Sequence, residues 1–249
     1  LVPAYASVYT AAERLMELEE DALEKQGDSV NLDSPCGIRM DDISFSYDST
    51  HGAVIQNLSF DFTPGSSTAI LGETGAGKTT LVRLLFAFLY PQGGSIEIYN
   101  DKVSERLSSL HRCNFAYVPQ GNTLMSGTIR DNLRLGKLDA TEKEMEDALR
   151  KSCAEFVFDL PVGLDTVCCE QGGGLSEGQA QRISIARGLL RNCSIIIFDE
   201  ATSALDPTTE HRLLCNLLSA HDNTVIFITH RPAVVKYCDH VLVLRGRRN

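Results

Sequence analysis

The sequence predicts an α/β fold: a mainly parallel sheet, an N-terminal antiparallel β subdomain and a helical subdomain. Three observations carry that expectation. Near-continuous apolar runs at 194–198, 224–228 and 241–244 read as parallel strands covered on both faces. A fourth apolar run, Thr68-Ala-Ile-Leu71, leads into a glycine-rich loop and then into a helix-like stretch over 79–89. Between them, residues about 122–190 lose strand character and read as helical.

The elements follow in order. Over 10–25, Ala11, Leu15, Leu18 and Ala22 fall at spacings of four, three and four, one face of an acidic amphipathic helix. Turn formers then fill 27–35. Residues 1–30 are expected to be a connector from an upstream domain, and residues 31–249 the main domain. From Ile38 to Phe62 short β-like runs alternate, with a hairpin break at Asp48-Ser-Thr-His-Gly52. The helix after the glycine-rich loop is stopped by Pro91 and Gly93-Gly94, and strands follow at 95–99 and 115–118. Within the helical insert, Thr141 and Glu144 form a capping box at the head of a helix over 141–151. Gly172-Gly-Gly174 breaks the chain before a helix from Ser176 to Leu190.

A chain of 249 residues with 43% apolar content can bury a full core. Its net charge of −10 argues against phosphate-backbone binding, which needs clustered Lys and Arg, so no nucleic-acid partner is expected. The short basic tail Arg245-Gly-Arg-Arg248 does not change that balance. Of eight cysteines, Cys168 and Cys169 are adjacent and the rest scattered, with no C-x-x-C pair, as for small core residues in a reducing compartment. No apolar run approaches the ~18–20 residues that span a bilayer. The N-terminus lacks a secretory pattern, and the absence of an initial Met fits either a piece of a longer protein or processing.

Gly72-Glu73-Thr74-Gly75-Ala76-Gly77-Lys78-Thr79-Thr80 fits G-x-x-x-x-G-K-[ST] at every fixed position, between a strand and a helix. Glycines let successive backbone N–H groups turn inward and cradle phosphate at a helix N-terminus. Lys78 adds a mobile positive charge, and Thr79 offers a hydroxyl to Mg²⁺. The loop predicts nucleoside triphosphate binding on a P-loop NTPase core, without saying what the energy is used for. The apolar strand 195–198 ends in Asp199 and Glu200. At such a strand tip Asp199 would hold Mg²⁺ through water, and Glu200 would polarise an attacking water. His230 sits on another strand tip, either as a γ-phosphate contact, as an orienter of Glu200 or as an ordinary loop residue; Gln120, after 115–118, is placed similarly.

Leu175-Ser176-Glu177-Gly178-Gln179 resembles the L-S-G-G-Q signature of ATP-binding cassette (ABC) ATPases, and the match extends over about residues 38–249. Tyr47 is similar to the aromatic that stacks on adenine, Gln120 to the Q-loop glutamine, Ser203-Ala204-Leu205-Asp206 to the D-loop and His230 to the switch histidine. Residues 123–133, Glu170-Gln171-Gly172 and Ala11-Ala-Glu-Arg-Leu15 resemble exporter-type segments, the last joining the final membrane helix to the nucleotide-binding domain.

The resemblance implies an ATP-hydrolysing motor domain using ATP and Mg²⁺, with Lys78, Glu200 and His230 catalytic and Thr79, Gln120 and Asp199 around the metal. It implies a head-to-tail dimer with a second such domain, identical or different, in which each ATP lies between 72–80 of one copy and 175–179 of the other. Gln120 and the Glu170 loop would pass the motion to the coupling helices of a transmembrane domain, at the cytoplasmic face of the membrane.

Glu177 departs from the signature, whose middle residue is usually Gly, and is expected to point outward so as not to repel phosphate. Family members also usually continue past residue 249. Competing readings are a soluble ABC mechanochemical protein and a regulatory subunit without turnover. The acidic charge argues against the first and intact Glu200 against the second.

Overall fold

A computed structural model describes residues 24, 27–32, 35–47, 52–168, 174–219 and 222–245. All but Glu24 of the connector helix over 10–25, most of the expected turn at 48–52, the Glu170-Gln171-Gly172 segment and all but Arg245 of the basic tail lie outside the described residues.

In chain order the strands are β1 (Gly37–Phe45), β2 (Ile55–Phe62), β3 (Ser67–Gly72), β4 (Gly93–Tyr99), β5 (Ser104–Arg106), β6 (Phe115–Val118), β7 (Gly127–Thr128), β8 (Val167–Cys168), β9 (Ile195–Asp199), β10 (Thr224–Ile228) and β11 (His240–Leu244). The helices are α1 (Lys78–Leu85), α2 (Ile129–Arg134), α3 (Glu142–Lys151), α4 (Glu177–Leu190), α5 (Pro207–Leu218) and α6 (Pro232–Val235). No helix among the described residues is long and apolar enough to cross a membrane.

The central sheet has the order β11-β3-β10-β9-β6, and every pairing in it is parallel. Its inner strands are the apolar runs of the sequence: β10 is buried throughout, and β9 is buried up to Asp199. Phe198 stacks on Phe227 at 5.1 Å across that pair. The second sheet, β2-β1-β4-β5, is antiparallel, with Ile38 opposite both Phe62 and Ile98. Alternation along β1, shifted by an irregularity between Met40 and Ile43, turns Ile38, Met40, Ile43 and Phe45 inward, where they share one core with Leu81, Leu84 and Leu85 of α1.

A separate apolar cluster joins α2, α3 and α4 through Ile129, Leu133, Met145, Leu149 and Ile183. The expected capping box is present at α3, where the Thr141 hydroxyl accepts from the Glu144 N–H and the Glu144 carboxylate accepts from the Thr141 N–H. Val30 and Leu32 of the approach segment dock on the domain: Val30 N donates to the Leu110 carbonyl and Leu32 N to Asn114 Oδ1. Just upstream, Glu24 accepts two hydrogen bonds from the Arg112 guanidinium.

One helix ends earlier than its sequence suggests. The helix expected over 79–89 stops at Leu85, because Ala87 takes φ 50°. Phe88 N then donates to the Arg83 carbonyl at 2.8 Å and Ala87 N to the Leu84 carbonyl at 3.0 Å, the double closure of a Schellman motif. Glycine is usual at that left-handed position, and alanine there gives no warning in the sequence. β1 likewise ends at Phe45, two residues before Tyr47.

Candidate nucleotide site

The glycine-rich loop runs from β3 into α1. Gly77 is the N-cap of α1 with φ 93°, a conformation that costs a side-chain-bearing residue about 1–2 kcal/mol. That geometry starts the helix at Lys78 and leaves its first N–H groups without intrahelical acceptors, which is the physical basis of anion binding at a helix N-terminus. Lys78 Nζ donates to the Gly72 carbonyl at 2.6 Å, so its charge folds back over the loop it serves. Thr79 is exposed, whereas Thr80 is buried and its hydroxyl shares a 3.2 Å hydrogen bond with Tyr47. Arg83 Nη1 donates to the Tyr47 hydroxyl at 3.0 Å, and the Tyr47 ring meets Phe45 edge-on at 5.1 Å. The aromatic is thereby fixed beside the start of α1 while remaining 52% exposed.

The parallel sheet brings the tips of β6, β9 and β10 together. Gln120 Nε2 donates to Glu200 Oε2 at 3.1 Å, and His230 Nδ1 lies 3.4 Å from Glu200 Oε1. Both carboxylate oxygens of Glu200 therefore have a neighbour, although the three residues come from turns after three different strands. Glu200 has φ 48°, a strained value for a residue with a side chain, and its N–H donates to the Ile228 carbonyl at 2.8 Å.

Asp199, the last residue of β9, accepts a 2.7 Å hydrogen bond at Oδ2 from the Tyr117 hydroxyl. Desolvation, followed by the hydrogen bond to Asp199, pushes the Tyr117 pKa up. Tyr117 was invisible as a site residue in the sequence, since nothing local ties position 117 to position 199. Among the described residues no group of three His, Cys, Asp or Glu side chains is arranged to hold a metal. A hard cation here would draw only a few protein oxygens, Thr79 and Asp199 among them, and most of its shell from phosphate and water. That is how Mg²⁺ is ordinarily held with a nucleotide.

Residues 175–179 form the head of α4. Ser176 is the N-cap: its hydroxyl accepts from the Gln179 N–H at 3.2 Å, and Gln179 Oε1 accepts from the Ser176 N–H at 2.9 Å. The pattern S-x-x-Q is itself a capping box, so these two residues carry a local folding role besides any ligand role. Glu177 is exposed in the first turn, where a carboxylate favours the helix macrodipole. Gly178 packs on the segment after Glu200: a Cβ at that position would lie 2.8 Å from the Ala204 carbonyl. Leu205 is buried, and Asp206 caps α5 by accepting from Thr208 N and Thr209 N at 3.1 and 3.0 Å. The Thr209 hydroxyl, and then these backbone N–H groups, hold the Asp206 carboxyl below the usual carboxylate range. The head of α4 is tied toward Gln120 by Gln181, whose Nε2 donates to the Pro119 carbonyl at 3.2 Å.

The sequence profile of the family described as ABC transporter matches residues 55–203. The chain belongs to the ABC transporter family. It is 38% identical to ATP-dependent permease MDL1 of Candida albicans over 94% of its own length and 35% of that protein. It is likewise 38% identical to the ATP-dependent lipid A-core flippase of Coxiella burnetii over 96% of the chain and 41% of the relative. A solved bacterial Atm1-family ABC exporter with ATP bound superimposes with a TM-score of 0.82 at 34% identity, covering 98% of the chain and 44% of that protein. The chain thus spans less than half the length of these relatives. Its mixed α/β architecture matches that of an ABC exporter nucleotide-binding domain, and membership of the ABC family implies nucleotide binding.

Proposed function

We propose that this chain is the ATP-hydrolysing motor of an export-type ABC transporter. The carrying observation is the Glu200 carboxylate, held between Gln120 and His230 at the same sheet edge as the phosphate loop. Backbone N–H groups of 72–80 hold the β- and γ-phosphates, assisted by Lys78, while Tyr47 receives the adenine. Thr79, Gln120 and Asp199 would hold Mg²⁺, whose charge would offset the charge that develops on the phosphates. Glu200 orients and polarises the attacking water, Gln120 and His230 fix its carboxylate, and His230 reaches the γ-phosphate.

The other half of each site comes from a second nucleotide-binding domain, with Leu175–Gln179 closing over the γ-phosphate and 203–206 lying along the interface. ATP then stabilises the closed pair, and its hydrolysis removes the contacts that favour closure. The membrane half of the machine contacts this domain on the side of Gln120 through coupling helices, which places the domain at the cytoplasmic membrane face. The likeness to an ATP-dependent permease and to an Atm1-family ABC exporter supports this reading over that of a soluble mechanochemical ATPase.

The test is phosphate release by the purified chain at high protein concentration with MgATP. Wild-type turnover, abolished by Lys78→Ala through lost nucleotide binding and by Glu200→Gln with binding retained, is expected. Turnover that survives both substitutions would reject the assignment.

A further inference from the structure

The residue after His230 carries a second job that its family motif does not name. Arg231 Nη1 donates to the Thr202 carbonyl at 3.1 Å and to the Leu205 carbonyl at 3.5 Å, and Nη2 donates to the Ser203 carbonyl at 3.2 Å. Its Nη1 also pairs with Glu210 Oε1 at 2.8 Å. The Glu210 side chain is only 7% exposed, so the guanidinium serves a nearly buried carboxylate and three backbone carbonyls at once. The Arg231 backbone N–H donates to Thr229 Oγ1 at 3.0 Å, which fixes where the side chain leaves the tip of β10.

The gripped turn begins at Glu200. Ser203 N donates to the Glu200 carbonyl at 3.0 Å and Leu205 N to the Thr202 carbonyl at 3.1 Å, both short local bonds. Arg231 braces that turn from a different strand. His230 and Arg231 therefore approach the same segment side by side, the imidazole at the Glu200 carboxylate and the guanidinium at the carbonyls that follow it. A planar fork with five donors fits several acceptors in fixed directions, which a lysine ammonium on a flexible stem does not reproduce.

We propose that Arg231 is a positioning residue that locks the turn 201–206 to the tip of β10, so that His230, Glu200 and the D-loop move as one unit. This rests on the ATPase reading above. In that reading the unit reports the state of one ATP to the face that meets the partner domain.

The test compares the wild-type chain with Arg231→Lys and with the double variant Arg231→Met/Glu210→Met, which removes the buried carboxylate together with its partner. Melting temperature, MgATP affinity, kcat and KM are measured for each. The expected result is kcat lowered about tenfold or more in both, with ATP affinity and KM within about threefold of wild type and the double variant still folding cooperatively. A kcat within about twofold of wild type in a folded double variant would overturn the proposal. So would a loss of ATP affinity that accounts for the whole drop in kcat/KM, because a positioning role leaves the loop 72–80 untouched. A wild-type chain without turnover would overturn the ATPase reading itself and this inference with it.

Discussion

Gln120 and Glu200 are joined by a 3.1 Å hydrogen bond across 80 positions of sequence, from the turn after β6 to the tip of β9. The bond fixes one oxygen of the carboxylate while His230 stands at the other. Truncating the amide in Gln120→Ala is expected to lower kcat about tenfold, the equivalent of one hydrogen bond of ~1.4 kcal/mol, with little effect on ATP affinity. Single-turnover kinetics beside equilibrium nucleotide binding separates the two effects.

Tyr117 holds Asp199 through its hydroxyl. Tyr117→Phe keeps the ring contact with Phe86 and removes only that bond. Without it the carboxylate is less well oriented, and the half-saturating Mg²⁺ concentration for turnover is expected to rise about three- to tenfold. Because the residue is 41% exposed, the melting temperature is expected to change little. A Mg²⁺ titration at fixed ATP checks this, and an unchanged midpoint would remove Tyr117 from the site.

Gly178 separates two explanations of the signature segment. An added methyl would meet the Ala204 carbonyl at 2.8 Å, so Gly178→Ala is expected to destabilise the domain by about 1–3 kcal/mol even as a monomer. Chemical denaturation of the isolated chain measures it. Stability equal to wild type would mean that the D-loop yields freely at Ala204, and that any functional loss arises only at the dimer interface.

Acid sensitivity has a local source in the helical region. The Lys137 ammonium, and then the Thr141 N–H and hydroxyl, pull the Glu144 carboxyl down to about 2 from 4.5. A depressed folded-state pKa contributes stability that is fully present above the unfolded value and is lost as pH falls toward the folded one. The contribution is therefore expected to be intact at neutral pH and to disappear between about 4.5 and about 2. Glu144→Gln, followed by acid titration of helical circular dichroism, should flatten the wild-type slope in that window. An identical slope would show that the capping box does not couple to acid unfolding.

Much of this is legible in the amino-acid sequence. The parallel strands announced themselves because burial on both faces demands unbroken apolar runs, as in Ile195-Ile-Ile-Phe198. The phosphate loop and the Thr141–Glu144 box were legible because their chemistry is local and fixed in spacing. The end of α1 was not, since Ala87 adopts a conformation that usually calls for glycine. Tyr117 and Arg231 were missed for another reason: each acts on a partner brought close only by sheet order, and no periodicity encodes such a meeting. The S-x-x-Q box at Ser176 was visible in principle but masked by the signature that shares its residues.

The most direct test of the account is the association state of Glu200→Gln with MgATP, measured by size-exclusion chromatography with light scattering. The account predicts a dimer that forms with MgATP, retains the nucleotide and reverts to monomer when ATP is withdrawn. A variant that binds MgATP yet stays monomeric at high protein concentration would contradict the shared-site mechanism.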